Sequence, residues 1–169
     1  PRTGNTGWTR ACYSMAEVIV LGAVMRVDER GIEISVVIPV QPRDSYRCAL
    51  LLRDLASQRD QGAEVIVVND GGDPRLERIC RRFGARHIPV WQPKTVYHAR
   101  NLGIHAARGR KLVFTDADCR LSQGWLARGR RLLEQLDYVA GPTLIHTSRP
   151  GRLWYTFAGA REFTTGDWL

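Results

Sequence analysis

Two aspartates one residue apart, Asp116 and Asp118, are the residues whose types and spacing most directly suggest chemistry in this 169-residue chain. They follow a short apolar run that begins at Lys111. Residues i and i+2 of a strand point to the same side, so both carboxylates would face one cation if the extended geometry persists. Carboxylate oxygens suit Mg²⁺ or Mn²⁺ rather than Zn²⁺. The bare pair is also typical of a solvated turn or a helix cap, so the surrounding elements must decide.

Runs of β-branched and apolar residues predict the strands that would position these aspartates. They cover residues 34–40, 64–70, 85–90 and 111–115, with a fifth strand over 138–144. Continuous apolar runs of this length are typical of strands buried on both faces of a parallel sheet. Pro39 is expected to end the first strand. Gly141 and Pro142 interrupt the fifth, which indicates an edge position or an early end.

Four helices are predicted between these strands from apolar residues at helical spacing and from capping signals. In order, they are a helix capped by Asp44 or Ser45 with Cys48, Leu51, Leu52 and Leu55 on its apolar face; a helix from Pro74 to about Phe83, closed by Gly84; a helix from Thr95 to Arg108, closed by Gly109; and a helix capped by Ser122 with Trp125, Leu126, Leu132, Leu133 and Leu136 on one face. Strands that alternate with helices in this way predict an α/β fold with a largely parallel sheet.

The carboxyl ends of the strands are where an open α/β sheet binds its ligands. Here these ends carry Pro39 and Val40, then Asp70, then Asp116 and Asp118. No Gly-x-Gly-x-x-Gly follows the first strand and no P-loop motif occurs, which disfavours both of those nucleotide-binding folds. A nucleotide could instead be held if Asp70 accepts from a base or ribose hydroxyl while a cation on Asp118 and nearby arginines neutralise the diphosphate.

Four blocks in a fixed order give the chain a resemblance to a known family. The blocks are residues 34–40, 64–71, 99–104 and 114–118. Together, over about residues 33 to 145, they resemble the inverting family-2 glycosyltransferases with the GT-A fold. The resemblance implies a three-layer, Rossmann-like α/β fold with a mostly parallel sheet and helices on both faces. It also implies binding of a nucleotide sugar, usually a UDP-sugar, and transfer of the sugar to an acceptor hydroxyl with inversion.

The resemblance also implies residues that bind the nucleotide. Asp70 matches the aspartate that recognises the uracil. Pro39 and Val40 lie where the end of the first strand lines the nucleotide pocket. Arg100 matches an arginine near the base or the diphosphate, although an arginine on a helix surface is the simpler alternative.

The two aspartates take unequal roles under the same resemblance. Asp118 matches the direct ligand of Mn²⁺ or Mg²⁺, and Asp116 matches the residue near the ribose and the water shell of the metal. The implied mechanism is metal-assisted departure of the nucleoside diphosphate, in which the cation stabilises charge on the leaving oxygen.

The general base is where the sequence departs from the family. The resemblance places this carboxylate well downstream, commonly in an acidic pair, and no such pair precedes Leu169. Glu162 and Asp167 are better interpreted as exposed carboxylates, so the base is expected beyond Leu169. Residues 31–145 are therefore predicted to form the nucleotide-sugar-binding core and residues 146–169 the start of an incomplete acceptor-side region, while residues 1–30 receive no role. A catalytically silent nucleotide-sugar-binding fragment is the alternative to an active transferase.

Two further classes compete with a glycosyltransferase. A nucleotidyltransferase usually carries a glycine-rich basic loop directly after the first strand, and residues 41–44 do not form one. The net charge of +8 favours anionic partners such as phosphates, nucleic acid or an acidic membrane surface, although an arginine-rich composition alone can produce it. No aromatic-basic platform or helix-turn-helix pattern accompanies the charge, so nucleic acid is not expected. The expected partners are a donor and a glycan, lipid or small-molecule acceptor.

Cysteine usage and hydropathy bear on the compartment. The four cysteines are widely spaced and form no Cys-x-x-Cys pair, which favours a reduced, cytoplasmic compartment over a zinc module or a disulfide framework. The longest apolar run, residues 18–25, is too short to span a bilayer and follows Glu17, unlike a signal peptide. A cytoplasmic location is therefore expected, with peripheral association at the inner face of the membrane left open.

Overall fold

The computed structural model describes residues 31–58, 62–92 and 94–141, together with the backbone of four short strand segments at 14–15, 20–21, 143–146 and 153–156. Glu162 and Asp167, most of the apolar run 18–25 and most of the C-terminal aromatic cluster lie outside the described residues. The strands are β1 (Ser14–Met15), β2 (Val20–Leu21), β3 (Ile34–Val40), β4 (Ala63–Asp70), β5 (Arg86–Val90), β6 (Lys111–Phe114), β7 (Cys119–Arg120), β8 (Tyr138–Val139), β9 (Thr143–His146) and β10 (Leu153–Thr156). The helices are a 3₁₀ turn (Pro42–Asp44), α1 (Ser45–Gln58), α2 (Pro74–Phe83), α3 (Val96–Ala106) and α4 (Trp125–Leu132).

The central sheet has the strand order β5-β4-β3-β6, and all its neighbours are parallel. This confirms the predicted α/β fold and four of its strands. Two short strands, β8 and β9, occupy the region of the predicted fifth strand, and neither joins this sheet. β8 pairs with β2, whereas β9 lies between β1 and β10, and β1 pairs in turn with β7. β1 and β2 of the N-terminal segment, for which the sequence predicts no role, thus each belong to one of the two other sheets.

Helices cover both faces of the central sheet. One face packs against α1, α2 and α4, which bury residues such as Leu51, Leu76 and Trp125. The other face packs against α3 through Ala99. The four apolar positions predicted for the first helix are all buried. Helices on both faces of a mostly parallel sheet are the three-layer arrangement that the sequence predicts.

The expectation that Pro39 ends the first strand is wrong, because β3 continues through Val40. The amide of Lys111 donates to the carbonyl of Glu33, and that of Thr115 donates to Val37, so alternate residues of β3 present their polar groups to β6. By this alternation Pro39 faces the same side, where β6 has already ended at Phe114. The missing N–H of proline therefore costs no hydrogen bond of the sheet.

The third helix ends earlier than predicted, at Ala106, and Gly109 does not cap it. Arg86 donates to the carbonyl of Ala106 at 2.7 Å, which satisfies one of the free carbonyls at the helix end. Gly109 instead lies against β3, where an added Cβ would be 2.6 Å from the backbone nitrogen of Ser35. This glycine is required by close backbone contact rather than by helix termination.

The fourth helix also begins and ends differently from the prediction. Gly124, with φ of 75°, occupies the N-cap position, while the Ser122 hydroxyl accepts a hydrogen bond from Arg128 at 2.7 Å. Leu136 lies beyond the end of α4 and is 51% exposed, so it does not belong to the apolar face. The prediction that Ser122 caps this helix is therefore wrong.

A buried polar network ties the amino ends of the strands together. Glu64 accepts from the Ser35 hydroxyl at 2.7 Å, from the Arg86 guanidinium at 2.9 Å and from the amide of Arg108 at 2.7 Å. Its carboxylate is compensated by several donors, as a buried charge must be. The opposite ends of the same strands are left for a ligand site. Within the described residues, no helix has the length and apolar character needed to cross a membrane.

Candidate functional site

A cavity of about 260 Å³ lies at the carboxyl ends of β3, β4 and β6. It is lined by Pro39, Val40, Gln41, Arg43, Asp44, Asp70, Val96, Arg100, Asp116, Ala117 and Asp118. All six residues singled out from the sequence are in this set. The ends of parallel strands meet at one edge of the sheet, which is why residues far apart in sequence line one cavity.

Asp70 is the last residue of β4 and is only 4% exposed. Its Oδ1 atom is buried and has no hydrogen-bond partner among the described residues. A buried acceptor without a donor costs free energy, and a ligand that donates to it would recover that cost. Asp70 is thus an acceptor available in the cavity wall.

Two glycines shape the turn that follows Asp70. Gly71 has φ of 115°, and a Cβ there would lie 2.7 Å from the ring of Pro42. Gly72 has φ of 67°, and a Cβ there would lie 2.8 Å from the ring of Trp91. Positive φ and close contact both exclude a side chain at these positions. The glycine pair therefore lets the turn after Asp70 pack between the rings of Pro42 and Trp91.

The chain turns at the two aspartates instead of remaining extended. β6 ends at Phe114, and the amide of Cys119 donates to the carbonyl of Asp116 at 3.1 Å. The expectation that a continuing strand aligns the two carboxylates is wrong. Within the turn, Ala117 is buried, while Asp116 and Asp118 both line the cavity. Both aspartates therefore line the same cavity because the chain turns there, and not because they lie on one side of a strand.

Burial raises the pKa of Asp118, and the negative charges of Asp116 and Asp44 raise it further. A hydrogen bond to the backbone and the charge of Arg47 oppose this shift. The ionised carboxylate of Asp118 is therefore less favoured than that of a solvated aspartate, and a bound cation would compensate its charge.

Asp44 is a cavity residue that the sequence did not identify as part of the site. It was predicted only as a candidate helix cap. It ends the 3₁₀ turn after β3, and its carboxylate pairs with Arg47 at 3.1 Å and with Arg43 at 3.5 Å. Its position just after the end of a strand is the sequence feature that could have identified it as a site residue.

The protein groups alone do not enclose a metal ion in the part of the chain that the structure describes, because no three His, Cys, Asp or Glu side chains come together in a suitable group. Mg²⁺ commonly takes one or two carboxylates and completes its coordination with water and substrate phosphates. The adjacent carboxylates of Asp116 and Asp118, with the raised pKa of Asp118, fit a cation held in this way.

Arg100 extends from α3 to the cavity and donates to Asp116 Oδ1 at 2.8 Å. Its side chain is 26% exposed, and its Nε atom is buried without a hydrogen-bond partner among the residues described. This geometry does not fit the alternative of a freely solvated arginine on a helix surface.

Solved structures place this fold in the GT-A class. S. aureus TarS 1-349 matches with a TM-score of 0.56 and 20% identity, over 62% of this chain and 33% of that one. The mannosyltransferase PcManGT from Pyrobaculum calidifontis, solved in complex with GDP-Man and Mn²⁺, matches with a TM-score of 0.54 and 20% identity, over 65% of this chain and 34% of that one. At these identities the likeness concerns the fold alone.

The chain belongs to glycosyl transferase family 2, whose pattern matches residues 35–166. Glycosyltransferase GlyA of Streptococcus pneumoniae is 26% identical over 143 residues, which are 80% of this chain and 20% of GlyA. An uncharacterized glycosyltransferase of Rickettsia bellii is 27% identical over 119 residues, which are 68% of this chain and 17% of that protein. The chain thus spans about a fifth of the length of these curated relatives.

Proposed function

We propose that this cavity binds the nucleotide of a nucleotide sugar together with a divalent cation, and that the protein transfers the sugar to an acceptor hydroxyl with inversion. The observation that carries the proposal is the meeting of an unpartnered buried acceptor, Asp70, with the Asp116 and Asp118 carboxylates around one cavity. Family membership and the nucleotide sugars printed for two structural neighbours, UDP-GlcNAc for TarS and GDP-Man for PcManGT, support it.

On the nucleotide side, Asp70 accepts from an N–H of the base, which is uracil in the proposed UDP-sugar. The unpartnered oxygen of this residue is matched by such a donor. Pro39 and Val40 form the apolar wall at the end of β3. Arg100 supplies positive charge toward the diphosphate from α3.

On the metal side, Asp118 is the proposed ligand of Mn²⁺ or Mg²⁺, and Asp116 is proposed to lie near the ribose and the water shell of the metal. The bound cation supplies charge stabilisation to the departing nucleoside diphosphate. The protein contributes by holding the two carboxylates in a partly desolvated turn, where electrostatic attraction to a cation is stronger than in open water.

Transfer also requires a general base for the acceptor hydroxyl. The acidic residues that line the cavity are Asp44, Asp70, Asp116 and Asp118, and we assign none of them to this role. The base is proposed to lie outside the described residues. This keeps a catalytically silent nucleotide-sugar-binding chain as the second candidate function, and sugar transfer or donor hydrolysis by the 169-residue chain would exclude it.

Equilibrium binding of UDP to the full chain, with Mn²⁺ and with chelator, tests the donor site. Binding is expected to depend on Mn²⁺, to be lost in Asp118→Ala and to be weakened in Asp70→Ala. Glu134→Ala is the matched control, because Glu134 is exposed and lies outside the cavity. UDP affinity that is insensitive to chelator and to both aspartate substitutions would contradict the proposal. Parallel titration with GDP tests the preference for uracil.

A further inference from the structure

The side chain of Asn69, next to the proposed base-binding residue, is fully hydrogen-bonded. It is 1% exposed. Its Nδ2 atom donates to the carbonyl of Asp73 at 2.8 Å and contacts Nε2 of His87 at 3.0 Å, while its Oδ1 atom accepts from the amide of Asp73 at 2.9 Å. This amide therefore closes the turn from Asn69 to Asp73, which contains Asp70.

The orientation of the Asn69 amide fixes the protonation of His87. Since Oδ1 must face the Asp73 amide, Nδ2 faces the imidazole, and a donor can pair only with an unprotonated ring nitrogen. The Nε2 atom of His87 is thus an acceptor, and in the neutral ring the proton is on Nδ1. A protonated ring would set two donors against each other. Rotating the amide would present Oδ1 to His87, but it would break both bonds to Asp73.

We propose that His87 is a positioning residue that holds the Asn69–Asp73 turn, and with it Asp70, in the geometry that binds the donor, and that it does so only with a neutral imidazole. This inference rests on the proposed function, because it requires Asp70 to contact the nucleotide. His87 lies on β5, beside β4, is not among the residues that line the cavity, and is linked to the ligand site through Asn69.

The groups around His87 set the pH range of this effect. Burial lowers the pKa of His87 below its ordinary value of 6.5, and the carboxylate of Glu77 on α2 opposes that shift. Glu77 is itself paired with Arg81 at 2.9 Å. On the β4 side, the nearest charged group linked through Asn69 is Asp73, which is paired with Arg75 at 3.0 Å. The ring is therefore neutral at pH 7.5 and becomes protonated at a pH below 6.5.

The test measures UDP affinity in the presence of Mn²⁺ at pH 7.5 and at pH 5 for the wild type and three variants. His87→Gln can keep an acceptor near the Nε2 position but does not titrate, His87→Ala removes the acceptor, and His105→Gln alters an exposed histidine of α3 as a control. The phosphate of UDP titrates near pH 6 and affects all proteins equally, so each affinity is compared with that of wild type at the same pH. Thermal unfolding at both pH values confirms that each variant is folded.

His87→Gln is expected to bind UDP like wild type at pH 7.5 and about three- to tenfold more tightly than wild type at pH 5, the range that one hydrogen bond produces. His87→Ala is expected to bind about three- to tenfold more weakly at pH 7.5, and His105→Gln should follow wild type throughout. Equal pH profiles for wild type and His87→Gln, or unchanged UDP affinity in His87→Ala at pH 7.5, would overturn the inference. Failure of wild type to bind UDP at pH 7.5 would instead contradict the proposed function.

Discussion

The Arg100 guanidinium donates to the Asp116 carboxylate at 2.8 Å and so connects α3 with the turn after β6 across the cavity. The cavity is lined by four aspartates and by two arginines, Arg43 and Arg100. The ion pair therefore balances part of the negative charge of the cavity. It also fixes the carboxylate of Asp116, which is more exposed than that of Asp118. A ligand with a diphosphate would compete with Asp116 for the same guanidinium.

Arg100→Ala is expected to weaken UDP binding in the presence of Mn²⁺ by about ten- to a hundredfold, because a hydrogen bond to a charged group contributes about 1.5–3 kcal/mol. The UDP affinity of Arg100→Lys should lie between those of Arg100→Ala and wild type, since an ammonium retains the charge without the planar arrangement of donors. Arg131→Ala, at an exposed position of α4, is the control. Titration calorimetry measures the UDP affinity, and equal affinities in all four proteins would show that Arg100 does not contribute to UDP binding.

Asp118→Asn is expected to lose metal-dependent UDP binding and yet to leave the metal-free protein at least as stable as wild type. Burial and the charges of Asp116 and Asp44 raise the pKa of Asp118 above 3.8, so the folded state binds this proton more tightly than the unfolded state. Ionisation of Asp118 therefore lowers the stability of the wild type as pH rises through that raised pKa, and the variant lacks this contribution. Thermal unfolding in EDTA at pH 4 and pH 7 checks this, and a variant less stable than wild type at pH 7 would contradict it.

Asp73→Asn is expected to reduce the loss of unfolding free energy that the protein shows as the pH falls from 7 to 2. Hydrogen bonds from Arg75 and Ser45 lower the pKa of Asp73 from 3.8 to about 2, against the opposing effect of burial. Its contribution to stability is thus present above pH 3.8 and is lost as pH falls through about 2. Urea unfolding between pH 7 and pH 2 should show a smaller loss in Asp73→Asn than in wild type. Glu77→Gln, which alters an exposed pair on the same helix, should retain the wild-type profile.

Gly103→Ala is expected to destabilise the fold by about 1–3 kcal/mol, because the added Cβ would collide with the side chain of Val37. Gly129→Ala is the matched control. It also lies within a helix, but no described residue comes within 4 Å of the added Cβ, so the substitution should stabilise the fold by about 0.5–1 kcal/mol. Chemical denaturation measures both. The double substitution Val37→Ala with Gly103→Ala should recover part of the loss, and strict additivity would show that the two residues are not in contact.

The sequence predicts the central sheet and the cavity because both follow from local patterns. Buried runs identify the strands, and the rule that parallel strands end at one edge brings Asp70 and Asp118 together. The roles assigned to these residues stay predictions, as do the domain limits.

The errors arise where distant contacts decide the local structure. Gly109 resembled a helix cap, but it is required by the approach of β3 from more than seventy residues away. The sequence also predicts Asp44 as a helix cap, whereas in the structure it ends the 3₁₀ turn after β3 and lines the cavity. Neither the contact of Gly109 with β3 nor the position of Asp44 at the cavity produces a periodic pattern in the sequence.

The position of Pro39 has a consequence for what can bind at the end of β3. Among the described residues, β3 extends past the last residue that pairs with β6, and its two final residues, Pro39 and Val40, are buried and line the cavity. Proline has no N–H to offer to a further strand on this side of β3. The space beside it is therefore better suited to a small ligand than to an added strand.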